Sequence, residues 1–336
     1  MTTRLGQLLK QYRELGIADQ LDYEKFYLYS LITHSTAIEG STITETESHI
    51  LFEHGISPKG KSLHEQHMNM DLKQAYESAY RYAIKHTPIT TELLISLASI
   101  VMKNTGSDYQ TALGSFSSAR GELRLVNVSA GLGGRSYMNF KKVPIKLAQL
   151  CRELNSIREK APEMSIQSLY ELSFKAHFHL VTIHPWADGN GRMARLLMNM
   201  LQIEFGLVPS KIRKEDKEAY IEALESTRAN DDISIFCDFM TDMMQCQLEN
   251  DIYCYQKSIN SEVESFFGSD EKPIAPTKTR DKVLALLRKN PFYSASNIAK
   301  ELGLSTQAIN RQLSVLKSKG LIDRIGASRG GHWKVH

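Results

Sequence analysis

The side chains with the clearest chemical potential lie together in one short segment, HPWADGNGRMAR at 184–195. His184 is a candidate general base, because neutral imidazole has a pKa of about 6.5 and can accept a proton near neutral pH. Pro185 disfavours helical geometry at the residue before it, so a preceding helix should end near Ile183 and present His184 at a loop. The glycine-rich stretch 189–191 then allows a sharp turn where the next helix begins.

The same loop offers groups that bind a phosphate chain. Free backbone N–H groups at the start of a helix form an anion site that suits phosphate. Asp188 supplies a carboxylate oxygen of the kind that holds Mg²⁺ against phosphates. Arg192 and Arg195 lie three residues apart on one helix face and can contact further phosphate oxygens. With the candidate base, these groups outline a site for phosphoryl transfer.

This segment resembles the signature of the Fic (filamentation induced by cyclic AMP) family, HPFx(D/E)GNGRxxR. Every signature position matches except the third, where Trp186 replaces the usual Phe and keeps a large aromatic side chain. The resemblance covers about residues 20–265 and implies a helical Fic core. It places a target-positioning flap at 123–140, where alternating apolar residues around a Gly-rich centre also predict a β-hairpin.

The resemblance implies transfer of AMP from ATP to a Ser, Thr or Tyr hydroxyl of a protein, with release of pyrophosphate and help from Mg²⁺. His184 would deprotonate the target hydroxyl, and Asp188 would be the Mg²⁺ ligand. Gly189, Asn190 and Gly191 would form the nest for the α- and β-phosphates. Arg192 and Arg195 would hold the β- and γ-phosphates. Auto-AMPylation is a further expectation.

Other candidates for nucleotide contact lie outside the signature. The stretch GLGGR at 131–135 lacks the GK(S/T) of a phosphate-binding loop, and we interpret it as the tip of the flap. The residues next to the tip would border the nucleotide: Val128, Ser129, Ala130 and Gly131. In this family the helix after the signature lines an adenine pocket, which makes Tyr220 and Asn230 candidates. An ordinary amphipathic helix and its end explain those two residues equally well.

An upstream segment, HSTAIEG at 34–40, resembles the (S/T)xxxE(G/N) inhibitory motif of many Fic proteins. Ser35 and Glu39 lie one helical turn apart on the same face, and Gly40 is a suitable helix terminator. The resemblance implies that Glu39 pairs with Arg195 of the same chain and takes the place of the γ-phosphate, so that ATP binds unproductively. Some relatives with this glutamate also hydrolyse the AMP–protein bond, and the sequence leaves de-AMPylation open.

The remaining reactive side chains indicate structural roles. His177 and His179 are two residues apart, face different sides of a helix and have no carboxylate or thiol at metal-ligand spacing. We interpret both as core residues or as residues behind the site. The four cysteines include no CxxC pair, which argues against a disulfide framework or a zinc ribbon.

Composition predicts two folded parts of unlike charge. The 336 residues are 42% hydrophobic and 24% charged, as in ordinary globular proteins, with a formal net charge of +3. Residues 278–336 hold 12 Lys and Arg against 3 Asp and Glu, a net +9, which leaves 29 against 35, a net −6, for residues 1–277. Pro273 and Pro276 lie in a polar stretch typical of a linker. Most of residues 1–265 has helical periodicity, so the predicted fold class is mainly α.

The basic C-terminal part has the order helix, helix, tight turn, helix and two strands, and it resembles a winged helix-turn-helix over its whole length. Ser305 is a candidate N-cap of the third helix. The start of that helix carries the candidate DNA contacts Thr306, Gln307, Asn310 and Arg311. Winged helices also dock proteins or dimerise, and positive charge alone supports only non-specific DNA binding, so both partners stay open.

The preferred hypothesis is an AMP transferase restrained by its own N-terminal helix. The predicted parts are an N-terminal segment with the inhibitory motif (1–60), the catalytic core (61–265), a linker (266–277) and the winged helix (278–336). The alternative is a DNA-binding transcriptional regulator whose core is regulatory or uses another phosphate-containing donor. The sequence shows no membrane span or secretion signal, so we expect a cytoplasmic protein. A homodimer formed through the helical body is a further expectation.

Overall fold

The computed structural model describes residues 3–130 and 136–266. Further towards the C-terminus it describes 283–284, 286–288, 290–291, 293–302, 306, 309–310, 313, 316–317, 321–325 and 332–335. The chain forms two compact units, an N-terminal unit Met1–Glu262 and a C-terminal unit Val263–His336. None of the described helices is long and apolar enough to cross a membrane.

The N-terminal unit consists mainly of α-helices, which confirms the predicted fold class. Its described helices are α1 (Arg4–Glu14), α2 (Tyr23–Ile38), α3 (Glu45–His54), α4 (Leu63–Ile84), α5 (Thr91–Val101), α6 (Val143–Arg158), α7 (Ile166–Ile183), α8 (Asn190–Glu204) and α9 (Lys217–Asn230). A further helix, α10 (Ile233–Phe266), begins in this unit and ends four residues past its boundary at Glu262. A short antiparallel hairpin of β1 (Asp108–Thr111) and β2 (Gly114–Ser117) follows α5, with Tyr109 opposite Phe116.

Polar residues at the helix starts explain where several helices begin. Thr44 accepts a hydrogen bond from the backbone of Glu47, whose side chain bonds back to the backbone of Thr44, so these two residues form a capping box at the start of α3. Ser62 and Glu65 form the same arrangement at the start of α4. Each box satisfies backbone N–H groups that the first turn of a helix leaves without partners.

The core of the N-terminal unit surrounds α8, which packs against α4 and α7. Most of its side chains are buried, including the amides of Asn199 and Gln202. These amides bond to each other, and Gln202 also donates to the hydroxyls of Ser173 and Ser210. A buried polar network that is satisfied in this way stabilises one arrangement of the core. The helix whose start carries the signature is therefore anchored in the core of the unit.

Segment 123–140 differs from the predicted β-hairpin. Its described residues form an isolated antiparallel bridge between Ser129 and Ser136 but no regular strand. Next to the bridge, the N–H of Tyr137 donates to the carbonyl of Val128 at 3.0 Å. The predicted tip at 131–135 lies outside the described residues. We keep the name flap segment for 123–140.

The apolar alternation in the flap segment was therefore a poor guide to strands. Side-chain bonds join its two legs instead: the amide oxygen of Asn127 accepts from the N–H of Phe140 at 3.1 Å. The regular hairpin lies upstream, at 108–117, where the sequence did not predict one. Its strands have four residues each, too few for a clear alternating pattern.

The described residues of the C-terminal unit agree with the predicted winged helix. They include the helix Ala295–Leu302 and the antiparallel strands β3 (Ile322–Ile325) and β4 (His332–Val335). Buried apolar side chains form its own core: Val283, Leu287, Ile298, Ala299, Ile309, Leu313, Leu316 and Ile322. The linker at 267–277, Ser305, Gln307 and Arg311 lie outside the described residues.

Candidate active site

His184 lies at the end of α7, as Pro185 predicted. It is the C-cap residue, with a left-handed backbone at φ 53° and ψ 63°, and its N–H donates to the carbonyl of Leu180 at 3.0 Å. Its Nδ1 lies 3.3 Å from the carbonyl oxygen of Val181. Because a carbonyl can only accept, Nδ1 carries the hydrogen and Nε2 keeps its lone pair. This is the tautomer that a general base needs at Nε2.

The environment of His184 keeps the imidazole neutral. Burial lowers the pKa of His184 to about 4, and the charges of Arg124 and Arg228 act in the same direction. The ring of Tyr137 stacks on the imidazole, with 3.6 Å between centroids and 16° between planes. The guanidinium of Arg228 lies 5.8 Å from the centroid of the Tyr137 ring. The sequence did not predict Tyr137, because the stacking joins segments far apart along the chain.

The loop from His184 to α8 is held by its own side chains. Trp186 is buried, and its indole N–H donates to the carbonyl of Gly121 at 2.8 Å. The side chain of Asn190 accepts from the N–H of Trp186 at 3.1 Å and donates to its carbonyl at 2.9 Å. Gly189 has φ 82°, and a Cβ there would lie 2.7 Å from Sδ of Met102. A residue with a side chain would therefore be strained at position 189 and would also clash.

The N-terminus of α8 faces a carboxylate from a distant part of the chain. A Cβ on Gly191 would lie 2.6 Å from Oε1 of Glu39, so this carboxylate lies directly against the first turn. The positive end of the helix dipole and its free N–H groups favour a negative charge at this point. Glu39 thus occupies the region that the sequence assigns to phosphates.

Glu39 also pairs with Arg195. The Nη2 atom of Arg195 lies 2.5 Å from Oε1 of Glu39, and its Nε donates to the hydroxyl of Ser35 at 2.8 Å. The side chain of Arg195 is 3% exposed and that of Glu39 is 33% exposed. Burial raises the pKa of Glu39, but the charge and hydrogen bond of Arg195 outweigh it and hold that pKa below its usual value. Gly40, with φ 106°, follows the end of α2, so the whole motif lies at one helix end.

Arg192 is buried beside a more accessible carboxylate, that of Asp188. The Nη2 of Arg192 lies 3.0 Å from Sδ of Met102 and 3.7 Å from Oδ2 of Asp188, whose side chain is 60% exposed. No group of three His, Cys, Asp or Glu side chains in the described part of the chain could hold a metal by itself. A single accessible carboxylate suits Mg²⁺, which takes most of its ligands from phosphates and water.

Two parts of the chain match known family models. Residues 88–202 match the model of the Fic/DOC family, and residues 277–323 match that of a winged helix-turn-helix DNA-binding domain. Over residues 88–202, the chain is therefore similar to a Fic domain. Its signature, His184 to Arg195, lies within the matched residues.

Relatives of the Fic domain include named enzymes. "Protein adenylyltransferase Fic" of Nematostella vectensis is 30% identical over 203 residues, covering 60% of this chain and 43% of that protein. "Protein adenylyltransferase fic-1" of Caenorhabditis elegans is 26% identical over 212 residues, covering 62% of this chain and 38% of that protein. The chain spans about two fifths of the length of these two relatives. A Fic domain-containing signalling protein from Bacteroides thetaiotaomicron shares the fold, with a TM-score of 0.63 at 20% identity over 76% of this chain and 98% of that one.

The two adenine candidates of the Fic domain lie in unlike surroundings. Tyr220 is 2% exposed, its hydroxyl lies 2.9 Å from Nε2 of His177, and it is hydrogen-bonded to Arg195. It supports Arg195 from behind and offers almost no surface to adenine, so the structural alternative describes it better. Asn230 ends α9 in an exposed position, where its side chain donates to the carbonyl of Ser226 at 2.8 Å. An adenine contact of Asn230 stays a prediction.

The residues predicted next to the flap tip and the two histidines of α7 also differ in burial. Val128 is half-buried and Ser129 and Ala130 are exposed, whereas Gly131 lies outside the described residues; their nucleotide contacts stay predictions. His177 is a core residue, as expected. His179 is exposed, which corrects the expectation of a core position: it lies on the solvent side of α7, two residues from His177.

Proposed function

We propose that this chain is a protein adenylyltransferase, which moves AMP from ATP to a Ser, Thr or Tyr hydroxyl of a protein and releases pyrophosphate. The observation that carries the proposal is the carboxylate of Glu39, held between the start of α8 and the buried Arg195. A site with this arrangement suits an anion. The matching relatives are named protein adenylyltransferases, which supports ATP as the anion.

The proposed reaction assigns the transferred proton to His184. The target hydroxyl oxygen bonds to the α-phosphorus, and the bond from that phosphorus to the oxygen bridging to the β-phosphate breaks. Pyrophosphate leaves with the electron pair, and Nε2 of His184 takes the hydroxyl proton. Nδ1 is not available for this role because it faces the carbonyl of Val181. With its pKa lowered to about 4 by burial, His184 is already deprotonated at neutral pH.

The remaining signature residues would bind and orient the nucleotide. The N–H groups of 189–191 and the positive helix end would receive the α- and β-phosphates, and Arg192 and Arg195 would neutralise the charge further along the chain. Asp188 would hold Mg²⁺, which neutralises phosphate charge when bound. In the resting protein, Glu39 competes for Arg195 and restrains the transfer.

The proposal is tested by releasing this restraint. The wild type, Glu39→Gly and the control Glu24→Gly, an exposed glutamate in the first turn of the same helix, are incubated with labelled ATP, Mg²⁺ and a cell lysate. We expect Glu39→Gly to incorporate label at least 10-fold faster than the other two, with a protein mass increase of one AMP. Equal incorporation by all three would overturn the restraint. An adduct of another mass would overturn the assignment of AMP.

A second function, duplex DNA binding, is favoured by the family match at 277–323 and by the net charge of +9 over 278–336. Thr306 and Asn310 are exposed on the candidate recognition helix. We propose that the full chain binds duplex DNA with an affinity that falls as salt rises. Lys317→Glu, a change at an exposed position of the same unit, should weaken binding several-fold, and Lys10→Glu on α1 should not. No binding at low salt would leave a protein-docking module.

A further inference from the structure

Arg124 is a buried arginine that neither the signature nor the inhibitory motif includes. It is 1% exposed, and burial lowers the pKa of its guanidinium. Its three side-chain hydrogen bonds go to backbone carbonyls: Nε donates to His184 at 2.7 Å, Nη1 to Val126 at 2.7 Å and Nη2 to Met138 at 2.5 Å. Its own N–H donates to the carbonyl of Pro185 at 3.0 Å. All five polar hydrogens of a guanidinium lie in one plane, so these acceptors fix its orientation.

The three carbonyls come from functionally different places. Val126 lies on the incoming leg of the flap segment and Met138 on the outgoing leg, so the guanidinium closes the base of that segment. His184 carries the candidate catalytic imidazole. One side chain therefore joins the base of the flap segment to the backbone of the candidate base.

The backbone of His184 needs such support. It lies in the left-handed region at φ 53°, a conformation that is strained for a residue with a side chain and persists only where the surroundings enforce it. Arg124 donates to the carbonyls of the next two peptide units: its side chain bonds that of His184, and its backbone N–H bonds that of Pro185. The residue before Met138 is Tyr137, whose ring stacks on the imidazole. The imidazole is thus held at its backbone and at its face by groups that converge on Arg124.

We propose that Arg124 is a positioning residue, which locks the flap segment and the left-handed backbone of His184 into one unit and so places Nε2 for proton transfer. This inference rests on the proposed AMP transfer. The guanidinium bonds both the flap segment and the backbone of His184. A target segment that docks on the flap would therefore be held in register with the candidate base.

The test uses the full chain in the Glu39→Gly background and compares Arg124→Lys with Arg158→Lys. Lysine keeps the charge but presents one nitrogen and cannot bond three carbonyls in a plane. Arg158 is a matched control: its side chain is 8% exposed, it bonds to Glu204 and to the carbonyl of Thr87, and it lies on α6, outside the site. We expect Arg124→Lys to lower the rate of AMP incorporation about 100-fold, and to change the dissociation constant of a non-hydrolysable ATP analogue less than 3-fold. Arg158→Lys should change neither.

A second readout separates positioning from a loss of stability. The pKa of His184, followed by NMR of the labelled imidazole, should rise from about 4 towards 6.5 in Arg124→Lys, because the ring leaves its buried, stacked place. A merely structural role would reduce the folded fraction without moving this pKa. If Arg124→Lys folds poorly, Asn127→Ala removes an exposed contact at the same flap base and should lower the rate about 3- to 10-fold.

The outcomes distinguish this inference from the proposed function. Unchanged incorporation and an unchanged His184 pKa in Arg124→Lys would overturn the role of Arg124. If Glu39→Gly itself incorporates no AMP, the proposed transfer fails. A shift of the His184 pKa in Arg124→Lys would still support positioning in that case.

Discussion

Two buried arginines hold the two ends of the site, and only one of them is paired with a carboxylate. Arg124, at the His184 end, donates to three backbone carbonyls. Arg195, at the α8 end, donates to the hydroxyl and the backbone carbonyl of Ser35 and to the carboxylate of Glu39. A backbone carbonyl cannot leave unless the segment that carries it rearranges. A carboxylate at the end of a helix can leave, and another anion can replace it.

The electrostatics of the two arginines follow the same division. Burial lowers the pKa of Arg124, which faces neutral dipoles. Burial also acts to lower the pKa of Arg195, but the carboxylate of Glu39 outweighs burial and raises it. A buried charge is stabilised by a partner of opposite charge, so an anion beside Arg195 lowers the cost of burying it. In the proposed function, Arg124 belongs to a fixed end that positions the base, and Arg195 belongs to an exchangeable end where Glu39 and ATP compete.

The strongest test of the fixed end removes the group that it positions. In the Glu39→Gly background, His184→Ala should lower AMP incorporation at least 10³-fold, since it removes the imidazole that takes the proton in the proposed reaction. His179→Ala is the matched control, because it removes an exposed imidazole from the same helix. Its incorporation rate should equal that of the parent. Comparable loss in both variants would point to damage of α7 rather than to loss of a base.

The exchangeable end is tested by ligand-induced stabilisation. Saturating Mg-ATP should raise the melting temperature of Glu39→Gly by about 3 °C more than that of the wild type, because Arg195 is free to bind a phosphate. AMP, which lacks the β- and γ-phosphates, should stabilise the two forms equally. Equal stabilisation by ATP would mean that Glu39 does not compete with the nucleotide.

The fixed and the exchangeable end differ in how far the sequence predicts them. The residues from His184 to Arg195 are adjacent, so their types and spacing were enough to locate the loop, the start of α8 and the anion site. The Glu39 motif was recognisable because its residues lie within one helical turn. Arg124 was missed because its acceptors are backbone carbonyls, which any residue supplies and no pattern marks.

The fold shows the same limit. Helical periodicity predicted a mainly α unit, because it depends on neighbours along the chain. The flap segment was predicted as a regular hairpin, yet its legs are joined by Asn127 and Arg124, and such long-range side-chain bonds leave no periodic trace. His179 was interpreted as a core residue or a residue behind the site, because nothing in the sequence shows which side of α7 faces solvent.

Tyr220 lies behind Arg195 at the exchangeable end, and its substitution should have a smaller effect, on the stability of the fold. Tyr220→Phe removes the hydroxyl between Arg195 and His177 and leaves the buried Nε2 of His177 without a donor. Unfolding in urea should show a loss of about 1–3 kcal/mol. Tyr80→Phe, at a 45% exposed position, should change stability by less than about 0.5 kcal/mol. If Tyr220→Phe were equally harmless, Arg195 would be held by Glu39 and Ser35 alone.

The pH dependence of stability gives the smallest effect and concerns Glu39 alone. Its pKa in the folded chain is held below the ordinary value of 4.5 by Arg195, against the effect of burial. A lowered folded pKa means that the ion pair stabilises the fold fully above pH 4.5, and that this contribution is lost as the pH falls through the folded value. The wild type should therefore exceed Glu39→Gln in unfolding free energy by about 1 kcal/mol at pH 7, and the difference should shrink below pH 4.5. A difference in unfolding free energy that stayed constant down to pH 3 would show that the Glu39 carboxylate contributes by its shape and hydrogen bonds. The stability of the exchangeable end would then depend as little on charge as that of the end held by Arg124.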